Sequence, residues 1–544
     1  MRMLDTAPQR PSEDASVDAA RTRNANWRWL TYAGALSAKE LLVCAACLSM
    51  LAALAFAGHV SHGGFYYDDW GVLSVVRFPP PHASALHGLR LLYGRRPGQV
   101  LWYAALDGLL GFHAHLQLAL AAALMTVEAI CLFALLRRLG MQRLAAGAIS
   151  VLVLLFPFSD SLWLWSILTT NTLTTALYLV GIVLALRALR TAGWRGLVLH
   201  AVSLSLYLVG IFTYGESFAA LGCLVGLLYV YMARHETAAG ADATRRAMVR
   251  WALDVGAIAA SLLVTRTALP KDIVTPYPRL SLHHMWLQAG DLLSGAARIL
   301  AAAAEPFGAP APLLVLGVLA ALLLLRARDR RWIAVALAGL LVAIAAWAVY
   351  VPADYIYSPT SPGTGNRVNG LAAIGVVVFL YAAAMLITRR GRLAVLVVIA
   401  LAAGYAHRIA HDARTWNHAA QLQAQVLTTI RAHVRRAPRS SGFLVSDWPQ
   451  SAGEGVPVYG EPYYLSSALK WAFADRTLAG AQIDSSTLLS CGTHGVRASH
   501  LPYAPPLLAS YGRAYLVDVR ADRVLAITSR ARCQALAGAP SRRA

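Results

Sequence analysis

Apolar stretches of membrane-crossing length alternate with short, arginine-bearing breaks from residue 39 to residue 409. A helix crosses the hydrocarbon core with roughly 20 predominantly apolar residues. The pattern predicts about eleven spans, over residues 39–60, 113–136, 144–158, 171–189, 196–213, 217–233, 250–268, 311–325, 332–350, 370–388 and 393–409. Two of them, 144–158 and 393–409, are short or interrupted. Residues 1–38 are polar, and no small-residue cleavage site follows the first apolar stretch, so that stretch reads as a retained span.

Beyond residue 410 the pattern changes. Residues 411–436 place Leu422, Val426, Ile430 and Val434 at helical spacing, which predicts an amphipathic connector. Gly442–Asp447 and Gly455–Gly460 read as strands, Tyr463–Phe473 as a helix, and Tyr515–Arg520 with Arg523–Ser529 as a hairpin. The expected architecture is an all-α polytopic membrane domain, 39–409, preceded by a polar tail, 1–38, and followed by a small α/β domain, 410–544.

Composition sharpens this picture. Only 14% of the residues are charged, against about 25% in soluble domains. The net charge of +21 would by itself point to nucleic acid, but its distribution does not. Arg137, Arg138 and Arg143; Arg187, Arg190 and Arg195; Arg234, Arg245, Arg246 and Arg250; Arg326, Arg328, Arg330 and Arg331; and Arg389, Arg390 and Arg392 fall in alternate breaks. The intervening segments 61–112, 157–171, 214–217, 266–310 and 351–370 are longer in total and poorer in cations. The arginine-rich side is therefore expected in the cytoplasm, with the N-terminus, and no nucleic-acid partner is expected. An odd number of spans then sets 410–544 on the periplasmic or extracellular face of a bacterial-type inner membrane. Cys491 and Cys533, outside the spans, are either a disulfide formed in that oxidising compartment or two unrelated thiols.

Candidate chemistry gathers in the outward segments. Phe65-Tyr66-Tyr67-Asp68-Asp69-Trp70 sets two adjacent carboxylates just after the first span. Such a pair suits a general base or a metal ligand whose neighbour tunes its pKa; a solvated loop is the plain alternative. Tyr66, Tyr67 and Trp70 suit stacking on a sugar or an interfacial aromatic belt. Arg95-Arg96-Pro97 lies in the same segment, against the charge trend, and suits phosphate or lipid headgroups. Glu216, beside Tyr214 in a tight turn between spans, is a carboxylate at membrane depth and a cavity candidate. Asp160 reads as a helix N-cap. The Pro- and Gly-rich segment from Asp354 to Asn369 cannot lie in hydrocarbon and reads as a lid, with Tyr357 and Asn369 facing a cavity and Arg367 as its cation. Lys271, His283 and His284 supply further donors. No Gly-rich nucleotide loop and no zinc spacing occurs.

An acidic pair in the first outer segment, then Arg96-Pro97, a many-span chain and an outward C-terminal domain resembles the GT-C superfamily of membrane glycosyltransferases. The likeness is closest over 39–140 and is similar to the O-mannosyltransferase and aminoarabinose transferase group. It implies a polyprenyl-phosphate-sugar donor and a lipid, glycan or protein acceptor, with Asp68 or Asp69 as catalytic base. It also allows a divalent cation, Mg or Mn, held by those two residues. Arg96, Arg367 and Lys271 would bind the donor phosphate, and Tyr67, Trp70, Tyr214, Glu216, Tyr357 and Asn369 would line the substrate cavity. The reaction expected is an inverting displacement at the anomeric carbon. A transporter or flippase, or a non-catalytic assembly protein, is the competing class. Transporters place charge at the midplane, where these spans carry few charges, Glu128 being the main exception.

Overall fold

The helical domain starts where the sequence supplies a cap. Ser37 accepts a hydrogen bond from the Glu40 backbone N–H at 3.1 Å and opens α1, Ala38–His62, in a Ser-x-x-Glu arrangement that satisfies exposed first-turn donors. The Glu40 carboxylate also pairs with Arg143 at 3.0 Å and with the buried Arg137. That knot ties the start of α1 to the end of α5, Ala114–Arg138, and the start of α6, Arg143–Leu154. The computed structural model describes residues 36–215, 218–235, 241–270, 281–304, 330–352, 357–388, 391–460, 462–483, 487–500 and 507–537. The expected span 311–325 and the candidates Glu216, Lys271 and Asp354 lie outside the described residues.

Between α1 and α5, residues 61–112 fold into three short helices: α2, Asp68–Arg77; α3, Ala85–Tyr93; and α4, Pro97–Leu110. After α6 the chain turns through two short 3-10 stretches and one helical turn, residues 157–168, almost wholly buried. The bundle continues through α7, Thr169–Arg190; α8, Gly193–Thr213; α9, Phe218–His235; α10, Ala241–Thr267; α11, Leu282–Ala304; α12, Arg330–Ala348; and α13, Gly370–Thr388. α12 and α13 cross closely, because a Cβ at Gly339 would sit 2.6 Å from the Gly375 carbonyl oxygen. Small residues at such crossings let helix backbones approach where lipid offers no hydrophobic driving force.

Among the described residues, eight helices are long and apolar enough to cross a membrane, and 143–154 and 218–230 are shorter apolar helices. The expected span 144–158 is cut short as α-helix at Leu154, just ahead of Pro157, whose missing N–H opens the next turn. A larger departure concerns the expected connector. Residues 393–409 and 411–436 do not separate: α14, Gly391–His433, is one 43-residue helix. Nothing between Gly404 and His433 breaks the backbone, so the helix changes partners without ending.

The C-terminal domain is an α/β unit. β1, Gly442–Ser446, is central and runs parallel to β4, Ala479–Ile483, and to β8, Ala514–Asp518. β9, Arg523–Ile527, closes the sheet antiparallel to β8 in the order β4-β1-β8-β9. α15, Pro462–Phe473, covers this sheet. β5, Thr487–Cys491, β6, Gly495–His500, and β7, Leu507–Ser510, form a second, antiparallel sheet. The expected strand over Gly455–Gly460 shrinks to β3, Val456–Pro457, pairing with β2, Ser451–Gly453, since glycine and proline flank so little ladder. A disulfide joins Cys491 of β5 to Cys533 of α16, Arg530–Ala537, with the Cα atoms 5.9 Å apart. The domain's core also admits α2 and the residue leading into it: Phe65, with Trp70 and Leu73 of α2, packs with Val426 and Ile430 of α14 and with Phe443, Leu465 and Leu469.

Candidate functional site

The acidic segment is built into a junction between the bundle and the C-terminal domain. Tyr67 takes φ 44°, a left-handed backbone uncommon for a bulky residue, and so turns the chain into α2. Non-glycine residues in such regions cost about 1–3 kcal/mol and persist where surrounding contacts over-determine them. Those contacts are present. The Tyr67 ring lies 4.2 Å from Tyr464 of α15 and 5.9 Å from Trp165. The Trp165 indole N–H donates to the Tyr66 carbonyl at 3.1 Å.

The two carboxyls have different surroundings. Asp69 is 4% exposed. Its Oδ2 accepts from the Tyr66 N–H at 2.9 Å and its Oδ1 from Ser166 Oγ at 2.8 Å, fastening the start of α2 to the turn before α7. Burial pushes its pKa up to about 7, against the pull of those donors. Behind it lies a cavity of about 20 Å³ lined by Asp69, Tyr103, Asp107, Gln117 and Ser166. That is room for a water molecule, not for a sugar.

Asp68 faces the other way and keeps some accessible surface. Tyr464 Oη donates to its Oδ1 at 2.6 Å. Burial raises the Asp68 pKa, while the Tyr464 hydrogen bond and the positive charges of Arg367 and Arg96 act to lower it. Both arginines therefore stand within electrostatic reach of Asp68. Arg96 is the residue just ahead of α4; it donates to Gln99 Oε1 at 3.4 Å, and its guanidinium lies 5.1 Å from the Tyr214 ring centre. Arg367 lies 5.9 Å from the ring centres of both Trp165 and Tyr357.

The segment that carries Arg367, the 3-10 stretch Gly363–Asn369, is held at several points. Asn366 Nδ2 donates to Asp160 Oδ1 at 2.5 Å. Asn369 donates to the carbonyls of Phe158 and Pro359 at 2.6 and 2.7 Å and accepts from Trp347 Nε1 at 2.9 Å. Gln288 of α11 brackets Tyr357, donating to its carbonyl at 2.7 Å and accepting from its N–H at 2.8 Å. On the domain side the Thr364 N–H donates to the Gly455 carbonyl at 2.9 Å. Gly363 and Gly455, both at positive φ, pass so closely that a Cβ at Gly363 would lie 2.1 Å from the Gly455 oxygen.

The structure thus brings together Asp68, Arg96, Arg367, Tyr67, Tyr214 and Tyr357. Two expected lining residues stand elsewhere. Trp70 packs inside the domain core and donates to Gln423 Oε1 at 3.2 Å. Asn369 is fully enclosed, with its amide committed to Phe158, Pro359 and Trp347; both stabilise the frame. Asp160 occupies the N-cap position of the 161–164 turn, but its side chain makes no capping bond and holds Asn366 instead. Burial, with Asp412 nearby, raises its pKa well above the carboxylate range. His283 and His284 open α11, and no group of three metal-ligating side chains is found among the described residues. The Asp68 and Asp69 carboxyls are held by separate donors, Tyr464 on the one and Tyr66 with Ser166 on the other. With both Asp69 oxygens engaged in these bonds, the pair does not fit a shared divalent cation in this arrangement.

Tyr464, Ser166 and Gln288 escaped the sequence reading. Tyrosine, serine and glutamine carry no spacing signal, and each meets its partner only through the tertiary fold. No protein-family model and no curated protein matches the chain.

A second polar cluster lies within the spans. Tyr229 of α9 donates to Asp254 Oδ2 of α10 at 3.0 Å, and His200 Nε2 of α8 stands 3.5 Å from Asp254 Oδ1. Both His200 nitrogens, Asp254 Oδ1 and Arg250 Nη1 are buried and have no hydrogen-bond partner among the described residues.

Proposed function

We propose that the chain is a membrane glycosyltransferase of the GT-C type, moving a sugar from a polyprenyl-phosphate donor to a cell-envelope acceptor at the outward mouth of the bundle. One observation carries this reading: a carboxyl, Asp68, faced by two arginines from distant segments, Arg96 and Arg367, beside an aromatic wall. The bond to form is between the acceptor oxygen and the anomeric carbon; the bond to break joins that carbon to the phosphate oxygen. Asp68 takes the acceptor proton as attack proceeds. Arg96 and Arg367 stabilise the charge that develops on the departing lipid phosphate. Displacement on the face opposite the leaving group inverts the anomeric centre. Asp69 serves as the anchor that sets α2, and so Asp68, in place. Lys271 and Glu216 are assigned to the same mouth from the sequence alone.

The reading includes eleven spans, counting 143–154, 218–230 and 311–325 with the eight long helices. It sets the arginine-rich loops and N-terminus in the cytoplasm of a bacterial-type inner membrane and the C-terminal domain in the periplasm. A lipid-borne donor requires no nucleotide fold, which accords with the absence of a phosphate-cradling glycine loop. The deciding experiment is envelope glycan and lipid profiling of a deletion strain complemented with wild type or with Asp68→Asn. Restoration by wild type but not by Asp68→Asn is expected. Unchanged glycans in the deletion strain would sink the proposal.

A transport reading draws support from a specific feature, the His200–Asp254–Tyr229 cluster together with Glu128, which is 2% exposed and whose Oε2 has no partner among the described residues. Intramembrane ionisable groups often mark ion or proton paths. They lie apart from the arginine pair that favours phosphate, and that favours transfer.

A further inference from the structure

From the geometry we infer that Tyr464, contributed by the C-terminal domain, is a positioning residue for Asp68: it holds one carboxylate oxygen so that the other meets the acceptor hydroxyl. This rests on the transferase reading of the site. A carboxylate serving as base uses one oxygen, and a donor on the other oxygen fixes the plane of the group while favouring its charged form. Tyr464 Oη supplies such a donor at 2.6 Å to Oδ1, in the range of charge-assisted O–H···O bonds.

The arrangement is built on both sides. Tyr464 is 8% exposed, its ring lies tilted against the strained Tyr67 with the centres 4.2 Å apart, and its helix is fixed by Leu465 and Leu469 in the domain core. The groups that face Asp68 come from every element packed there: Asp69 on α2, Tyr93 on α3, Arg96 and Tyr103 at α4, Arg367 on the 3-10 stretch, and Tyr463 beside Tyr464 on α15. Burial opposes ionised Asp68; the two cations favour it. The Tyr464 bond weighs on the ionised side. The C-terminal domain is thereby part of the reaction centre rather than an appendage.

Binding of decaprenyl monophosphate, which mimics the leaving group, to the full chain in nanodiscs, followed from about pH 4, the ordinary carboxylate range, up to pH 9, tests this. An ionised Asp68 repels the bound phosphate, so affinity in wild type falls as Asp68 loses its proton. Asp68→Asn removes that part of the pH dependence, and Arg367→Gln weakens binding about tenfold or more. Tyr464→Phe deletes one oxygen and keeps the ring. It should move the Asp68-dependent fall upward by half a pH unit or more, whereas Ser466→Ala on the same helix should not move it. A Tyr464→Phe curve that superposes on wild type, while Arg367→Gln still weakens binding, overturns the role of Tyr464 and leaves the transferase reading standing. If wild type does not bind the lipid phosphate, or Arg367→Gln binds it equally well, the transferase reading fails and the Tyr464 assignment fails with it.

Discussion

The Asp68 mouth and the Asp254 cluster are both acid-centred, yet they are assembled in different ways. Asp68 meets groups from α3, α4, the 363–369 segment and α15, drawn from nearly 400 residues of chain. Asp254 meets Tyr229 and His200 from the two preceding helices, α9 and α8. Asp69 accepts hydrogen bonds at both oxygens, whereas Asp254 accepts at Oδ2 alone, and its Oδ1 and both His200 nitrogens have no hydrogen-bond partner among the described residues. Helices joined by short turns pack as neighbours through local sequence, so a polar contact between them can arise as structure. A constellation gathered from remote segments imposes many more constraints. The comparison teaches that the mouth is the region whose geometry has been specified.

The largest expected effect breaks this contrast directly. Asp68→Asn should cut transfer by about 10²–10⁴-fold, the usual range for a lost general base, with insertion unchanged. Asp254→Asn should change it by less than about threefold. Glycan transfer by the two variants at equal expression checks this, and the reverse ranking would move the chemistry into the spans. Next in size, Arg96→Gln or Arg367→Gln should each lower kcat by about 10²-fold, as for removal of one donor to a developing anion. Steady-state kinetics would show it, and a change confined to KM would reduce these residues to ground-state binding.

A smaller effect concerns pH and Asp69. Its folded pKa of about 7 stands above the ordinary aspartate value of 3.8, so the folded state binds the proton more tightly than the unfolded chain. Stability should therefore fall as pH rises from about 4 to about 7 and level off above. Asp69→Asn should flatten that slope, which thermal unfolding of the detergent-solubilised chain at several pH values would reveal. A slope retained in Asp69→Asn would assign it to another group. The smallest effect on transfer belongs to the disulfide. Replacing both Cys491 and Cys533 by serine should cost the C-terminal domain about 2–4 kcal/mol, read by denaturant or protease resistance. Activity at low temperature should change little, because the bridge joins β5 to α16 away from α15.

Much of the helical domain was legible because hydropathy is a local property: a run such as 114–138 is apolar whatever it packs against. The pair Asp68 and Asp69 was legible because adjacency and position after the first span are read along the chain. Their division of labour was not, since Asp69 becomes an anchor only when Ser166 is brought to 2.8 Å. The helix over 411–433 was legible from its periodicity, but its continuity with the span before it was not, because the change from lipid-facing to domain-facing surroundings alters composition without interrupting backbone hydrogen bonds. β4, Ala-Gly-Ala-Gln-Ile, went unread for a related reason: it has weak strand preference and is held by β1 and α15 rather than by its own residues.

By itself, then, the chain's amino-acid order determined a set of apolar helices, a sided distribution of arginine, and an acidic pair beside the first of them. Each depends only on neighbours along the backbone or on local transfer to lipid. Only the tertiary structure decided that Tyr464, Arg96 and Arg367 converge on Asp68 and that Trp70 and Asn369 do not line the mouth. Convergence of residues hundreds of positions apart is set by how whole helices and sheets pack, and no local pattern encodes it.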